Sequence, residues 1–231
     1  MNYSQKLRYV QEKIQEYITT ILKVYGNELV LLLEDYNLLD SPDNCIESST
    51  APGFVLEEFI ISKLVLFTQG HDGDREIILR RNEGSTTAKS YDCYVEYKDV
   101  KILINHKAEK SGVNNSGVAA INKLYTDYVQ LEPLKEKAFL VLKLSYRYIV
   151  SQRDGQRKFY ISGINSVYLE EIDFSGGYRQ DYRNWSKEFK SASGRLMLDR
   201  SFIGQHHLPD EQMSHTRTKE FIVGMMDQDD E

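Results

Sequence analysis

Two cysteines, Cys45 and Cys93, are all that the 231 residues contain. No disulfide framework and no four-cysteine zinc site can be built from two thiols, so the chain is expected in a reducing, cytoplasmic compartment. Tryptophan is scarcer still, one residue against sixteen tyrosines. Tyrosine suits half-buried strands and wet interfaces, because its ring packs while its hydroxyl stays bonded. No apolar run approaches the roughly 20 residues of a membrane span. Gln5, Lys6, Arg8 and Glu12 crowd the N-terminus, which is wrong for a secretory leader. Nucleophile elbow, phosphate loop and dinucleotide fingerprint are all missing, and Gly176-Gly177 reads as a turn, not as a phosphate cradle. Without internal repeats or a clear linker, one domain is expected over residues 1–231. Its parts are a helical N-terminal part (1–52), a core (53–173) and a C-terminal part (174–231).

The net charge of −6 argues against a nucleic-acid partner. The charge is uneven, however. Residues 1–50 hold four basic and eight acidic side chains, and residues 209–231 hold two and seven. Residues 179–200 reverse the sign, with Arg179, Arg183, Lys187, Lys190, Arg195 and Arg200 against Asp181, Glu188 and Asp199. A phosphate-facing surface is therefore possible in the middle while the ends stay acidic.

Hydrophobic spacing predicts a helix over 3–25, through Leu7, Val10, Ile14, Ile18, Ile21 and Leu22, with Gly26 as its stop. A second helix is expected over 28–39, a loop over 40–52 and a third helix from Gly53 to about Phe67. The period then shortens. Residues 76–81, 91–97 and 101–107 read as strands, with a tight turn at Lys98-Asp99. Helical spacing returns over 117–130. Residues 138–150 and 158–169 read as two strands joined by a turn at Asp154-Gly155. A short helix is expected over 210–217 and a last strand over 221–226. The order implies a mixed α/β sheet flanked by helices.

The chemistry lies in Ser90-Tyr91-Asp92-Cys93 and Ile104-Asn105-His106-Lys107. An acid near the start of one strand and a lysine at the end of its neighbour suit a Mg²⁺-dependent nuclease. Phosphodiester hydrolysis needs an activated water and positive charge on the phosphoryl oxygens. Mg²⁺ accepts one or two carboxylates and keeps several waters, and a lysine beside the water orients it or helps deprotonate it. Residues of equal parity share a strand face, so Asn105 and Lys107 point the same way. The His106 carbonyl is a further candidate ligand.

A helix carrying Glu57, a strand carrying Asp92 and a strand ending in Asn105-His106-Lys107, followed by another helix, resembles the core of the PD-(D/E)XK nucleases. Type II restriction endonucleases are their largest functional group. The resemblance spans about residues 53–150 and includes Asn114-Asn115-Ser116-Gly117 and the segment after it. It implies a restriction-endonuclease-like core in which Asp92 binds the metal, Lys107 is the catalytic lysine and Glu57 reaches the metal through water. Tyr91 stands where proline is usual. Asn105 stands where an acid is usual, and an amide brings no charge. Glu57, Glu58 or Glu109 would supply what is missing.

For DNA recognition the candidates are Arg179, Arg183 and Lys187, interleaved with Tyr178, Tyr182 and Trp185, and Asn114, Asn115 and Lys123 near the presumed centre. A palindromic site would require a homodimer, with the N-terminal helices as its interface. His206, His207 and His215 lack metal-ligand spacing and read as loop residues. The expected partner is double-stranded DNA and the expected cofactor is Mg²⁺. The alternatives are a repair or mobile-element nuclease, or a non-catalytic binding module, on the same fold.

Overall fold

The structure, a computed structural model, describes residues 1–29, 51–70, 76–82, 88–111, 117–150, 152–155, 157–174, 195–198 and 200–226. Its elements are α1 (Tyr3–Tyr25), β1 (Glu28–Leu29), α2 (Ala51–Gln69), β2 (Leu79–Arg81), β3 (Cys93–Tyr97), β4 (Val100–Lys110), β5 (Gly117–Ala120), α3 (Ile121–Leu124), β6 (Glu136–Val150), β7 (Arg157–Tyr168), β8 (Arg195–Met197), α4 (Arg200–Gln205) and α5 (His215–Met226). A wider π-helical turn, Tyr125–Gln130, continues α3.

Six strands form the central sheet in the order β1-β7-β6-β4-β3-β2. Every neighbouring pair is antiparallel except β4 and β6, which run parallel over Val100–Lys110 and Glu136–Tyr146. The expected mixed sheet flanked by helices is what the chain forms. The central strands are buried on both faces, which is why Phe139–Leu142 reads as an unbroken apolar run. Alternation then sorts their side chains. Ile102, Ile104, Leu140 and Leu142 pack with Leu7, Val10, Ile14, Leu56 and Ile60 of α1 and α2. Leu103, Phe139 and Val141 pack on the other face with Ile121, Leu124 and Ile222 of α3 and α5.

Helix α1 starts at a capping box: the Asn2 side chain accepts the Gln5 N–H, and Gln5 Oε1 accepts the Asn2 N–H. Gly26, at φ +84°, ends it. Its apolar stripe is buried against the chain's own sheet, so that stripe is not free for a second copy. Lys98 (φ 55°) and Gly155 (φ 70°) make the two expected turns.

Four expectations are corrected. Glu28–Leu29 is an edge strand paired to β7, not a helix start; residues 30–50 lie outside the described residues. Gly117–Ala120 is a strand before the helix begins, held antiparallel by β8, whose three residues are too few to show a period. The helical spacing of 210–217 splits into a 3₁₀ turn, Asp210–Gln212, and the start of α5. Phe221–Met226 is the end of α5, not a strand. Thr218, Phe221, Ile222 and Met225 form its buried face, at i, i+3, i+4 and i+7.

A buried polar knot joins α1, β6 and α5. The Tyr3 hydroxyl donates to the Lys137 carbonyl at 2.7 Å, and the Tyr128 hydroxyl lies 2.5 Å from Glu170 Oε1. Lys137 Nζ donates to the carbonyls of Asp127, Tyr128 and Leu131, which closes the π turn. Burial drives the fully buried Glu170 carboxyl up to about 7 from its ordinary 4.5, against the hydrogen bonds from Tyr128 and Phe139. The native state then binds this proton more tightly than the unfolded chain, so Glu170 costs stability as pH rises from about 4.5 through 7. Urea unfolding at pH 5 and pH 8 should show the wild type losing stability across that interval. Glu170→Gln, which keeps an acceptor for the Phe139 N–H, should flatten the loss; an equal loss in both proteins would refute it.

Candidate active site

The central sheet forks at one point. Strand β3 begins at Cys93, opposite Ile104, and just before it the Asp92 N–H donates to the Ile104 carbonyl at 2.9 Å. Upstream of Asp92 the ladder ends. Strand β4 continues to Lys110, paired only with β6 on its far edge. In a strand the N–H and C=O of one residue face the same edge, so His106 and Ala108 present their polar groups where β3 has departed. A buried backbone N–H requires an acceptor, and here side chains supply it. The His106 N–H donates to Asp92 Oδ2 at 2.7 Å, and the Ala108 N–H donates to Glu57 Oε1 at 2.8 Å.

Three elements therefore set the two carboxylates. Asp92 comes from the residue that precedes β3. Glu57 comes from α2, whose first turn lies on β4: a Cβ on Gly53 would sit 3.9 Å from that of Ala108. Glu57 follows one turn later and faces the strand edge. Lys107 lies between the two backbone donors, on the sheet face of Asn105.

The electrostatics join the three residues. Burial raises the Asp92 carboxyl above its ordinary value, while the His106 N–H, the Lys107 ammonium and the Arg81 guanidinium pull it back. Burial also raises the Glu57 carboxyl; the Ala108 N–H and Lys107 lower it, and the charge on Asp92 raises it further. The charge on Asp92 opposes the ionisation of Glu57, that on Glu58 opposes the ionisation of Asp92, and Lys107 acts on both Asp92 and Glu57, an environment that a cation would stabilise.

Asn105 departs from the role of a free ligand. It is 6% exposed, and its Nδ2 donates to the Ser90 carbonyl at 2.6 Å. Ser90 is held in turn by Asp127, whose Oδ2 accepts the Ser90 N–H at 2.6 Å and lies 2.9 Å from its hydroxyl. Lys89 completes the brace at 3.1 Å from Asp127 Oδ1. The segment leading into Asp92 is thus fixed from two sides. Sequence reasoning missed this brace, because Asp127 lies off the apolar stripe of its helix and gives no periodic signal. The Asn105 Oδ1 atom is buried without a hydrogen-bond partner. The His106 ring is fully buried on the other face, and burial lowers it to about 3, so it stays neutral.

The remaining candidates separate. Glu58 is exposed and forms a two-pronged pair with Arg81, at 2.8 and 2.6 Å. Glu109 is 4% exposed and accepts from the Ser145 hydroxyl at 3.2 Å. Of the three acids considered to complete the set, Glu57 is the one that joins Asp92. Lys123 is half-buried on α3, the layer over the Asn105 face. Asn114, Asn115, Arg179, Arg183 and Lys187 lie outside the described residues. His207 lies 3.3 Å from Glu171, and His215 stacks on Tyr128, so the two are apart in separate polar contacts.

Magnesium suits this donor set. Each carboxylate engages β4 through one oxygen and keeps the other, and the His106 carbonyl faces the same edge. Among the described residues no group of three or more His, Cys, Asp and Glu side chains is arranged to hold a metal. Mg²⁺ asks for less: one or two carboxylates, with water filling the other positions.

No protein-family model matches the chain, and no curated protein matches it. Among solved structures it is similar to the NlaIV restriction endonuclease, with 15% identity over 78% of this chain and 76% of that chain and a TM-score of 0.37.

The Asn105 contact predicts the effect of restoring an acid. Asn105→Asp would set a carboxylate oxygen against the Ser90 carbonyl where an N–H now donates. Losing a buried donor costs about 1–3 kcal/mol. The variant should unfold at lower urea concentration than wild type at pH 7, and an unchanged midpoint would show that the contact contributes nothing.

Proposed function

We propose that this protein is a Mg²⁺-dependent deoxyribonuclease that hydrolyses phosphodiester bonds in double-stranded DNA, and more narrowly a type II restriction endonuclease acting as a homodimer. The observation that carries the reading is the pair of carboxylates, Asp92 and Glu57, bound to the two backbone N–H groups that flank Lys107 on the open edge of β4.

In this reading Asp92, Glu57 and the His106 carbonyl are the donors that hold Mg²⁺. The ion, when bound, would put positive charge beside the phosphoryl oxygens and make a bound water more acidic. Asp92 and Glu57 keep their positions through β4, so little reorganisation is needed when substrate arrives. Lys107 orients the attacking water and adds positive charge beside the phosphate. Asn105 holds the Ser90–Asp92 segment in place and contributes no charge. Arg179, Arg183, Lys187, Asn114, Asn115 and Lys123 remain the proposed contacts to DNA. A palindromic target would need two copies related by a two-fold axis.

A second reading rests on Asn105. With its amide donated to Ser90, the site has one charged ligand fewer than the family pattern, and a module that binds DNA without cutting it would tolerate that.

Incubation with supercoiled plasmid and Mg²⁺, beside EDTA and beside Asp92→Ala, Glu57→Ala and Lys107→Ala, decides between them. Discrete fragments are expected from wild type only, with each variant at least about 100-fold slower. Full cutting by the Asp92 and Lys107 variants would end the nuclease assignment of this site. An uncut plasmid with salt-sensitive DNA binding would favour the binding module.

A further inference from the structure

Helix α2 is apolar on two sides. Leu56, Ile60 and Leu64 are buried in the core against the sheet. The outward side carries Val55, Phe59, Ser62 and Leu66, at spacings of four, three and four residues. At about 100° per residue these four fall within about 60° of arc, so they form one line along the helix. Val55 and Leu66 are exposed, and Phe59 and Ser62 are half-buried. A helix that only covers a sheet keeps charge on its outward side. Here the two charged residues of that side, Glu58 and Lys63, flank the apolar line, one on each edge.

The spacing is that of a coiled-coil seam, with Phe59 and Leu66 at a and Val55 and Ser62 at d. Glu58 then occupies g, and Lys63 occupies e of the next heptad. In a parallel pair those two positions meet across the seam. A second α2 would therefore set Glu58 against Lys63 twice, once on each side of a two-fold axis. An antiparallel pair would set Glu58 against Glu58 and Lys63 against Lys63. Glu58 is already held in place by Arg81 and by the Ser62 hydroxyl, which donates at 3.0 Å. The Lys63 ammonium lies 4.3 Å from the Tyr25 ring centroid.

The area fits the same partner. Phe54 and Tyr25 extend the line at its edges, Tyr25 through an edge contact with Phe59 at 6.0 Å. Phe54, Val55, Leu66 and Tyr25 are 48–69% exposed. Together they leave on the order of 400 Å² of apolar surface, a patch of the size that marks an interaction site. A standard interface takes about 800 Å² from each partner, a little over half of it apolar. The outward side of α2 supplies that apolar share, from a helix already folded on its sheet.

We propose that a second copy of this chain docks here, α2 against α2 in parallel about a two-fold axis, with Val55, Phe59, Ser62 and Leu66 as the seam and Glu58–Lys63 pairs on both sides. The pairing gives the homodimer of the nuclease reading its interface, and its use in cutting rests on that reading. It sets the two copies of Glu57 at one height on opposite sides of helix axes about 8–10 Å apart. Both centres then lie toward the same end of the pair, as cutting two strands of one duplex requires.

Sedimentation equilibrium without DNA or Mg²⁺ reads the interface apart from the chemistry. Wild type should be dimeric at about 10 μM. Leu66→Lys, at an exposed side chain, and Lys63→Glu should each weaken dimerisation at least about tenfold, with circular dichroism verifying that both are folded. The double exchange Glu58→Lys with Lys63→Glu should return the constant to within about threefold of wild type, because it swaps the charges across the seam. A wild type that stays monomeric at about 100 μM, or a dimer indifferent to Leu66→Lys, would overturn the interface. A dimer that Leu66→Lys breaks and Lys63→Glu leaves unchanged would overturn the parallel pairing. A dimer with these responses that leaves plasmid intact would uphold the interface and end the nuclease reading; a monomer that cuts plasmid into discrete fragments would do the reverse.

Discussion

The unpaired edge of β4 is the constraint on which the centre depends. A strand that outruns its neighbour leaves N–H groups that water or a side chain must satisfy, and inside a covered sheet water is scarce. Here the His106 and Ala108 N–H groups are satisfied by Asp92 and Glu57. The same contacts that close the hydrogen-bond ladder therefore bring two acids to one place. Fold and site cannot be separated at this point: shifting β3 by one residue would move Asp92 to the opposite face and leave the His106 N–H bare.

The rest of the architecture holds that fork rigid. Helix α2 delivers Glu57 because Leu56, Ile60 and Leu64 anchor it to one face of the sheet. On the other face the π turn delivers Asp127 to Ser90, two residues ahead of Asp92. Extra residues in a helical turn often mark functional segments, because they redirect side chains that a regular helix would place elsewhere. The redirected side chain here is a buried carboxylate that acts on backbone.

The sequence was legible where a period ran long enough to count. The α1 stripe, the β3–β4 hairpin and the β6–β7 hairpin all carried more signal than their boundaries required. It was illegible where an element was short or where partners were distant. Gly117–Ala120 became a strand because β8 lies beside it, and Leu196 lies far along the chain from Ala119. Phe221–Met226 looked like a strand because six residues cannot separate the two periods, and the deciding position, Thr218, is a polar residue on the buried face. At the centre, Asp92, Lys107 and Glu57 were visible as residue types in the right order of elements. The part played by Asn105 was not, because nothing in a linear pattern indicates that its amide meets the Ser90 carbonyl.

The knot around Lys137 has a kinetic consequence. Tyr3 reaches the Lys137 carbonyl across 134 positions, and His215 Nδ1 accepts the Lys137 N–H across 78. The backbone of one residue thus collects partners from the first helix and from α5, and the strand that bears it is itself the parallel partner of β4. Contacts this far apart in sequence raise the contact order, and loop closure must precede the stabilisation they bring. Assembly of the sheet is therefore expected to be slow for a chain of this size. The fork at β4 forms together with it, because β4 has no other partner on its far edge.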